Sequence, residues 1–115
     1  MGRPSETLVA IDKLKELEPD WDSYGAGEIA LSAREEAKRF IALVEQTLGA
    51  AYANPLVGPT ADGGVALIWR QRAGQPKVEA FFSPEGNRYV VIHGPKIVDQ
   101  GPIKGPEFVK QHVAL

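Results

Sequence analysis

The spacing of the apolar residues changes between Leu48 and Val65, and this change constrains the fold more than any other feature. Up to Leu48, apolar residues recur every three or four positions, as on one face of a helix. From Val65 they alternate with polar residues, as in a half-buried strand, and glycines and prolines separate the runs. Helices followed by antiparallel strands predict an α+β fold, in which the helices cover one face of a sheet.

Two helices are predicted in the first half of the chain. Ser5 is placed to cap the first helix, which runs to about Leu17 and ends before Pro19, because the residue before a proline disfavours helix. The second helix opens with a capping-box pattern, in which Ser32 is followed three residues later by Glu35. Its apolar positions then recur at spacings of three and four, which is typical of an amphipathic helix.

The second half predicts a β-meander. Residues 65–72, 77–82 and 88–93 alternate as three antiparallel strands, with glycine- and proline-containing turns between them. Residues 54–59 are predicted to form a short edge strand, since their prolines cannot donate to a β-ladder.

The tail predicts two further elements. Ile97 and Val98 lie between two Gly-Pro turns and are expected to add a short strand. Pro106 is placed to open a short terminal helix that holds Phe108, Val109 and Val113. The complete prediction is one domain over residues 1–115, with two helices packed on a small, mainly antiparallel sheet of three to five strands.

Composition narrows the class of protein. The 115 residues contain no cysteine, which excludes disulfides, thiolate metal sites and a cysteine nucleophile. The net charge of −2 gives no overall attraction to nucleic acid or to an anionic membrane. No apolar run approaches the roughly 20 residues that span a bilayer, and no signal-peptide core follows the first methionine. A soluble cytoplasmic protein is therefore expected.

The loop over residues 21–26 is the first candidate site. It places Trp21, Asp22, Ser23 and Tyr24 together between the two predicted helices. In the functional interpretation, Asp22 and Tyr24 offer a carboxylate and a phenol to a ligand or partner. In the structural interpretation, which we favour, the two aromatic residues close one end of the core and the acid bonds nearby backbone amides.

The outer face of the sheet is the second candidate. If the alternate strand residues point to the helices, the opposite face carries five apolar residues, Ala66, Ile68, Phe81, Val90 and Ile92. This is too apolar for a solvated antiparallel sheet, and it favours an interface with a second copy or another protein. The alternative is that the tail folds over this face and covers it through residues 97–98 and 108–109.

Four basic residues are expected to rim one end of the same face: Arg70, Arg72, Lys77 and Arg88. They offer contacts to phosphates, although four charges without interleaved aromatics are a weak signal for nucleic-acid binding.

Other chemical motifs are absent from the sequence. The stretch over residues 60–64 lacks the Lys of a phosphate-binding loop and precedes a strand, so it predicts a tight turn. His93 and His112 are the only histidines and do not have a metal-ligand spacing. No catalytic set, metal or cofactor is predicted.

The chain resembles a small uncharacterised bacterial family. The resemblance rests on a Trp-Asp-Ser/Gly-Tyr-Gly-Ala loop, a following helix, a Pro…Pro-Thr…Asp-Gly-Gly stretch, an apolar strand ending in Trp and an acidic-Gly turn. These features lie at residues 21–26, 33–48, 55–64, 65–69 and 84–86, so the match covers roughly residues 10 to 90. The family pattern has a Glu before the strand Trp, where this chain has Ile68. The resemblance sharpens the fold and implies no activity.

These observations predict a non-enzymatic interaction protein that binds itself or a protein partner through the outer sheet face or a sheet edge. One alternative is a small-molecule-binding module or small enzyme that uses the loop over residues 21–26. A second alternative is weak nucleic-acid binding through the four basic residues.

Overall fold

The structure is a computed structural model that describes residues 4–18, 21, 27–48, 54–70 and 74–113. The predictions made for Asp22, Ser23, Tyr24 and Arg72 lie outside these residues. The side chains of Pro4 and Ser5 are also outside the description.

The predicted α+β class is confirmed, because helices pack on one face of a five-stranded antiparallel sheet. The elements in chain order are α1 Pro4–Lys13, a 3-10 turn Leu14–Glu16, α2 Leu31–Leu48, β1 Leu56–Pro59, β2 Val65–Trp69, β3 Lys77–Ser83, β4 Gly86–His93, β5 Lys96–Pro102 and α3 Glu107–His112.

The sheet is a simple meander in which each strand pairs with its neighbours in sequence, in the order β1-β2-β3-β4-β5. The first strand is at the edge, as its prolines predict. The last strand is longer than predicted, since it extends from Lys96 to Pro102 instead of covering Ile97 and Val98 alone. Gly94, with a φ of +62°, makes the tight turn from which β5 pairs back along most of β4.

The core lies between the helices and the inner face of the sheet. The predicted inner positions of β2 and β3 are all buried, because the strict alternation of these strands sends every second side chain to the helices. The helices contribute one apolar stripe each, including Ile11 from α1 and Ile41 from α2, both without exposed surface. The core cluster comprises Ile11, Leu14, Ile29, Ala33, Ala37, Phe40, Ile41, Val44, Val65, Leu67, Trp69, Val78, Ala80, Phe82, Val91, Phe108, Val109 and Val113.

Both predicted helix caps are wrong in position. Ser5 and Ser32 each lie inside their helix, one residue after its first residue. In α2 the backbone N–H of Arg34 donates to the carbonyl of Ala30 at 3.1 Å, so Ala30 occupies the N-cap position. The N–H of Ala30 in turn donates to the carbonyl of Gly63 at 2.8 Å. A tertiary contact with the β1–β2 turn therefore accompanies the start of this helix, which a local pattern cannot indicate.

No helix in the described part of the chain is long and apolar enough to cross a membrane.

Candidate functional site: the outer face of the sheet

Strand register brings the five predicted interface residues onto one surface, which we call the outer face. Ala66 of β2 pairs with Phe81 of β3, and both lie on the side away from the helices. Ile68 and Val90 both pair with Glu79 of β3, one from each side, and Ile92 pairs with Lys77, the first residue of β3. The outer face therefore runs continuously across the three central strands.

Apolar side chains extend the outer face towards both edges of the sheet. Leu56 of β1 pairs with Ile68 and is 55% exposed, while Ile97 of β5 pairs with Ile92 and is 57% exposed. None of these residues belongs to the core cluster that contains the helices. Within the described residues no helix packs on the outer face, where Ala66 and Val90 are buried at 6% and 8% exposure and Ile68, Phe81 and Ile92 are partly exposed.

The described tail packs on the inner side of the sheet. The ring of Phe108 stacks on Phe40 of α2 at a centroid distance of 5.5 Å and on Tyr89 of β4 at 4.3 Å. Val109 has no exposed surface and belongs to the same core. These α3 residues close the end of the core under the helices, so the alternative in which they cover the outer face is wrong.

Glu79 occupies the centre of the outer face. It pairs with Ile68 on one side and Val90 on the other, so two apolar residues flank its carboxylate. Its side chain is 17% exposed and forms an ion pair with Lys77 of the same strand at 3.2 Å. A carboxylate in this position limits which surfaces can pack on the face, because a second acid placed against it would be repelled.

The expected basic rim at one end of the face is wrong. Lys77 begins β3, whereas Arg88 pairs with Phe81 towards the other end of that strand. The antiparallel hairpin separates them, because the start of β4 lies beside the end of β3. Arg70 follows β2 and is exposed at the Lys77 end, and Arg72 lies outside the described residues. The guanidinium of Arg88 lies 5.6 Å from the centroid of the Phe81 ring, within cation–π range.

Both sheet edges carry features that discourage pairing with another strand. The first strand has only four residues and ends in Pro59. The last strand begins with Lys96, ends in Pro102 and has a register shift opposite Val91 and Ile92. Short length, proline, lysine and bulges are the means by which edge strands avoid edge-to-edge association. The sequence predicted binding through either the outer face or a sheet edge. Of these two surfaces, the edges are the less suited, because both discourage pairing with another strand.

A groove of about 780 Å³ opens at the end of the sheet where the β1–β2 and β3–β4 turns meet. Phe81, Arg88, Gln100 and Pro102 belong both to its lining and to the outer-face side of their strands. Its volume falls within the range of about 300–1,000 Å³ that is usual for small-molecule sites.

The turn beside this groove is tightly built, as its glycines predict. The Thr60 hydroxyl donates to a carboxylate oxygen of Asp62 and accepts from the backbone N–H of Gly64, the latter at 2.9 Å. Gly63 has a φ of +87°. The Ala61 carbonyl accepts from the N–H of Gly27 at 3.4 Å, which joins this turn to the segment that follows the predicted recognition loop.

Trp21 has a structural contact that agrees with the favoured interpretation of the loop. Its indole N–H donates to the carbonyl of Gly27 at 3.0 Å, so the two ends of the loop are joined. The ring is partly buried against the core. Asp22, Ser23 and Tyr24 lie outside the described residues, so their predicted binding role stays a prediction.

A second polar cluster, which the sequence did not indicate, lies on the inner side of the sheet. The Tyr89 hydroxyl donates to Asp99 Oδ2 at 3.1 Å, and His112 Nε2 lies 3.2 Å from the same oxygen. Burial, together with the hydrogen bond and charge of Asp99, raises the pKa of the Tyr89 phenol. The cluster joins α3 to β5, so it has an evident structural role.

The two histidines lie in different environments. His93 Nε2 is 3.0 Å from the Gly74 carbonyl, whereas His112 contacts Asp99. The described residues contain no group of three or more potential metal ligands.

The sequence did not indicate the contact of Asp99 with Tyr89, because it depends on the bulge in β5. The bulge changes which residues of β5 face inwards, and strand alternation alone does not predict it.

Comparisons of the chain with protein-family models, with curated proteins and with solved structures found no match. The resemblance to a small bacterial family therefore stays a prediction based on its sequence motifs.

Proposed function

We propose that this protein is a self-associating interaction protein whose outer face binds a second copy of the chain. The observation that carries the proposal is the apolar outer face, which lacks a covering layer within the described residues while the inner face is packed against helices. An antiparallel sheet with one face in water normally alternates apolar and polar residues, so a second apolar face favours a partner.

The size of the outer face supports a dimer. Seven residues of β3 span about 23 Å, and five strands span about 24 Å across the sheet. Each copy therefore contributes at most about 500 Å², and two copies together reach the lower limit of about 1,000 Å² for a specific interface. An interface of this size predicts an equilibrium between monomer and dimer that depends on concentration.

The charge pattern also supports a second copy over a strongly charged partner. Lys77 and Arg88 lie on the same face as Glu79, so the face carries both signs of charge. A mixed surface complements itself when the charges are offset, whereas a polyanion such as nucleic acid would meet Glu79 at the centre.

Analytical ultracentrifugation tests the proposal. We expect the wild type to shift from monomer to dimer as its concentration rises through the micromolar range, and Ile68→Glu to remain a monomer because a second carboxylate then lies beside Glu79. The matched control is Leu43→Glu, which alters an α2 side chain that is 40% exposed and lies outside the face. Circular dichroism confirms that each variant is folded.

Two results would contradict self-association through the outer face. One is a wild type that remains monomeric up to the highest concentration it tolerates. The other is an Ile68→Glu variant that dimerises as readily as the Leu43→Glu control, which would show that the dimer uses another surface.

The groove favours a second candidate function, the binding of a small molecule. Arg88 and Gln100 face it, and its turn is hydrogen-bonded to Gly27, next to the loop predicted to bind a ligand. A panel of metabolites would be screened by thermal shift, with Arg88→Ala as the binding variant and exposed Lys110→Ala as its control. If a metabolite raises the melting temperature of both variants equally, it binds outside the groove.

A further inference from the structure

We propose that Lys77 enables a second copy to pack on the outer face, because it neutralises the Glu79 carboxylate at the centre of that face. The inference rests on the proposed self-association and assigns a role to two of the charged residues involved. It applies to any orientation in which the second copy covers the centre of the face, since it depends on the positions of these two residues within one chain.

Glu79 is central on the outer face in both directions. Its strand, β3, is the middle strand of the five. Along β3 it lies between Lys77 and Phe81, which occupy the neighbouring outer-face positions. Ile68 of β2 and Val90 of β4 pair with it from the two sides. A second copy that covers the face therefore removes water from the Glu79 carboxylate.

The two charged residues differ in their access to water. The Glu79 side chain is 17% exposed, whereas the Lys77 side chain is 45% exposed. Lys77 is the first residue of β3, so it lies closer to the border of the face than Glu79 does. Its ammonium nitrogen is 3.2 Å from Glu79 Oε2. Lys77 thus holds a positive charge against the carboxylate while its own side chain reaches solvent.

The neighbours of Glu79 make this counter-charge important. Ile68 and Val90 have no polar side-chain atom that could bond the carboxylate. The guanidinium of Arg88 lies instead over the ring of Phe81, 5.6 Å from its centroid. A carboxylate that loses water without a partner is strongly destabilising, and the loss of one member of a buried ion pair has the same effect. Without Lys77, the outer face would therefore resist being covered.

A double-mutant cycle measured by analytical ultracentrifugation tests the proposal. Lys77→Met retains the apolar stem and removes the charge, and we expect it to raise the Kd of the dimer at least about tenfold, since two carboxylates per dimer lose their partner. Glu79→Gln combined with Lys77→Met removes the unpaired charge as well. The double variant is therefore expected to recover most of the lost affinity.

Arg39→Met is the matched control. Arg39 forms an ion pair of the same kind with Glu36 at 3.0 Å, on the exposed surface of α2. Arg39→Met and Lys77→Met change the net charge of −2 equally, so general repulsion between copies affects both in the same way. We expect Arg39→Met to dimerise as the wild type does, and also Lys77→Arg, which keeps the charge.

Circular dichroism shows whether each variant is folded. If Lys77→Met is not, Lys77→Gln replaces it, and Lys77→Arg remains the variant that keeps the charge.

Two results would overturn the inference while self-association stands. If Lys77→Met dimerises as readily as Arg39→Met, the Glu79 carboxylate does not need Lys77. If the double variant is as weak as Lys77→Met alone, Lys77 acts by direct contact with the second copy and not through Glu79. Failure of the proposed function gives a different result, because the wild type itself then sediments as a monomer at every concentration, and the inference falls with it.

Discussion

The two faces of this sheet both carry apolar side chains and differ in what covers them. Phe81 and Phe82 are neighbours in β3, yet Phe81 is partly exposed on the outer face and Phe82 is 2% exposed beneath the helices. Strands that are apolar on both sides are typical of sheets covered on both sides. The contrast teaches that packing against the helices accounts for only one of the two apolar faces. We propose that a second copy covers the other face.

Substitution of these two neighbouring phenylalanines gives the largest expected difference between the faces. Phe82→Ala removes a ring that contacts Phe40 at 5.4 Å, and we expect it to lower the free energy of unfolding by about 3–5 kcal/mol. Phe81→Ala is expected to cost about 1 kcal/mol in the monomer and to weaken self-association. Urea unfolding at low protein concentration measures both stabilities. Equal losses would mean that the two faces are equally packed within one chain.

Two glycines extend the same comparison to the backbone. A Cβ at Gly64 would meet the Phe82 carbonyl and lie 2.7 Å from Thr60 Oγ, whereas one at Gly58 would meet nothing within 4 Å. We expect Gly64→Ala to lower the free energy of unfolding by about 2–3 kcal/mol, since backbone must move to relieve the contact. Gly58→Ala is expected to stay within about 0.5 kcal/mol of the wild type. Thermal unfolding of the two variants provides the measurement, and a mild Gly64→Ala would show that the turn relaxes easily.

Much of the fold was predictable because its signals are local. The apolar stripe of α2 and the alternation in β2 and β3 depend on residues close in sequence, and they placed Phe40, Leu67 and Phe82 in the core correctly. The outer-face residues followed from the same alternation, since a residue that does not face the helices must face the other way.

The errors have a common physical cause, which is dependence on contacts far apart in sequence. The start of α2 at Leu31 coincides with a hydrogen bond between Ala30 and Gly63, and the full length of β5 depends on pairing with β4. The bulge in β5 then decides that Asp99 faces Tyr89, which no local pattern predicts. The prediction of a basic rim at one end of the face was wrong for a similar reason. The pairing of β3 with β4 places Lys77 and Arg88 towards opposite ends of the face.

The hydrogen bond between Tyr89 and Asp99 predicts a smaller effect on stability, on the inner side of the sheet. Its raised phenol pKa means that the native state holds the proton more tightly than the unfolded chain. The resulting stability is fully present below the ordinary tyrosine pKa of 10.0 and is lost as pH rises through the higher native value. Tyr89→Phe should cost about 1 kcal/mol at neutral pH through the lost hydrogen bond, and it should reduce the alkaline destabilisation. Unfolding curves at neutral and alkaline pH test this. A wild-type alkaline decline that persists unchanged in Tyr89→Phe would assign it to another group.

The smallest expected effect belongs to the ion pair between α1 and α2, outside the core. Lys38 Nζ lies 3.0 Å from Asp12 Oδ1, and this hydrogen bond holds the pKa of the Asp12 carboxyl below its ordinary value of 3.8. A lowered carboxyl pKa stabilises the native state above that ordinary value, and the stabilisation is lost as pH falls through the native pKa. Asp12→Asn should therefore melt slightly below the wild type at neutral pH, with the difference shrinking in acid. High salt should also reduce it, because exposed charges are screened. Melting temperatures across pH and salt provide the measurement, and a difference that is constant under all conditions would show that Asp12 acts through packing instead of charge.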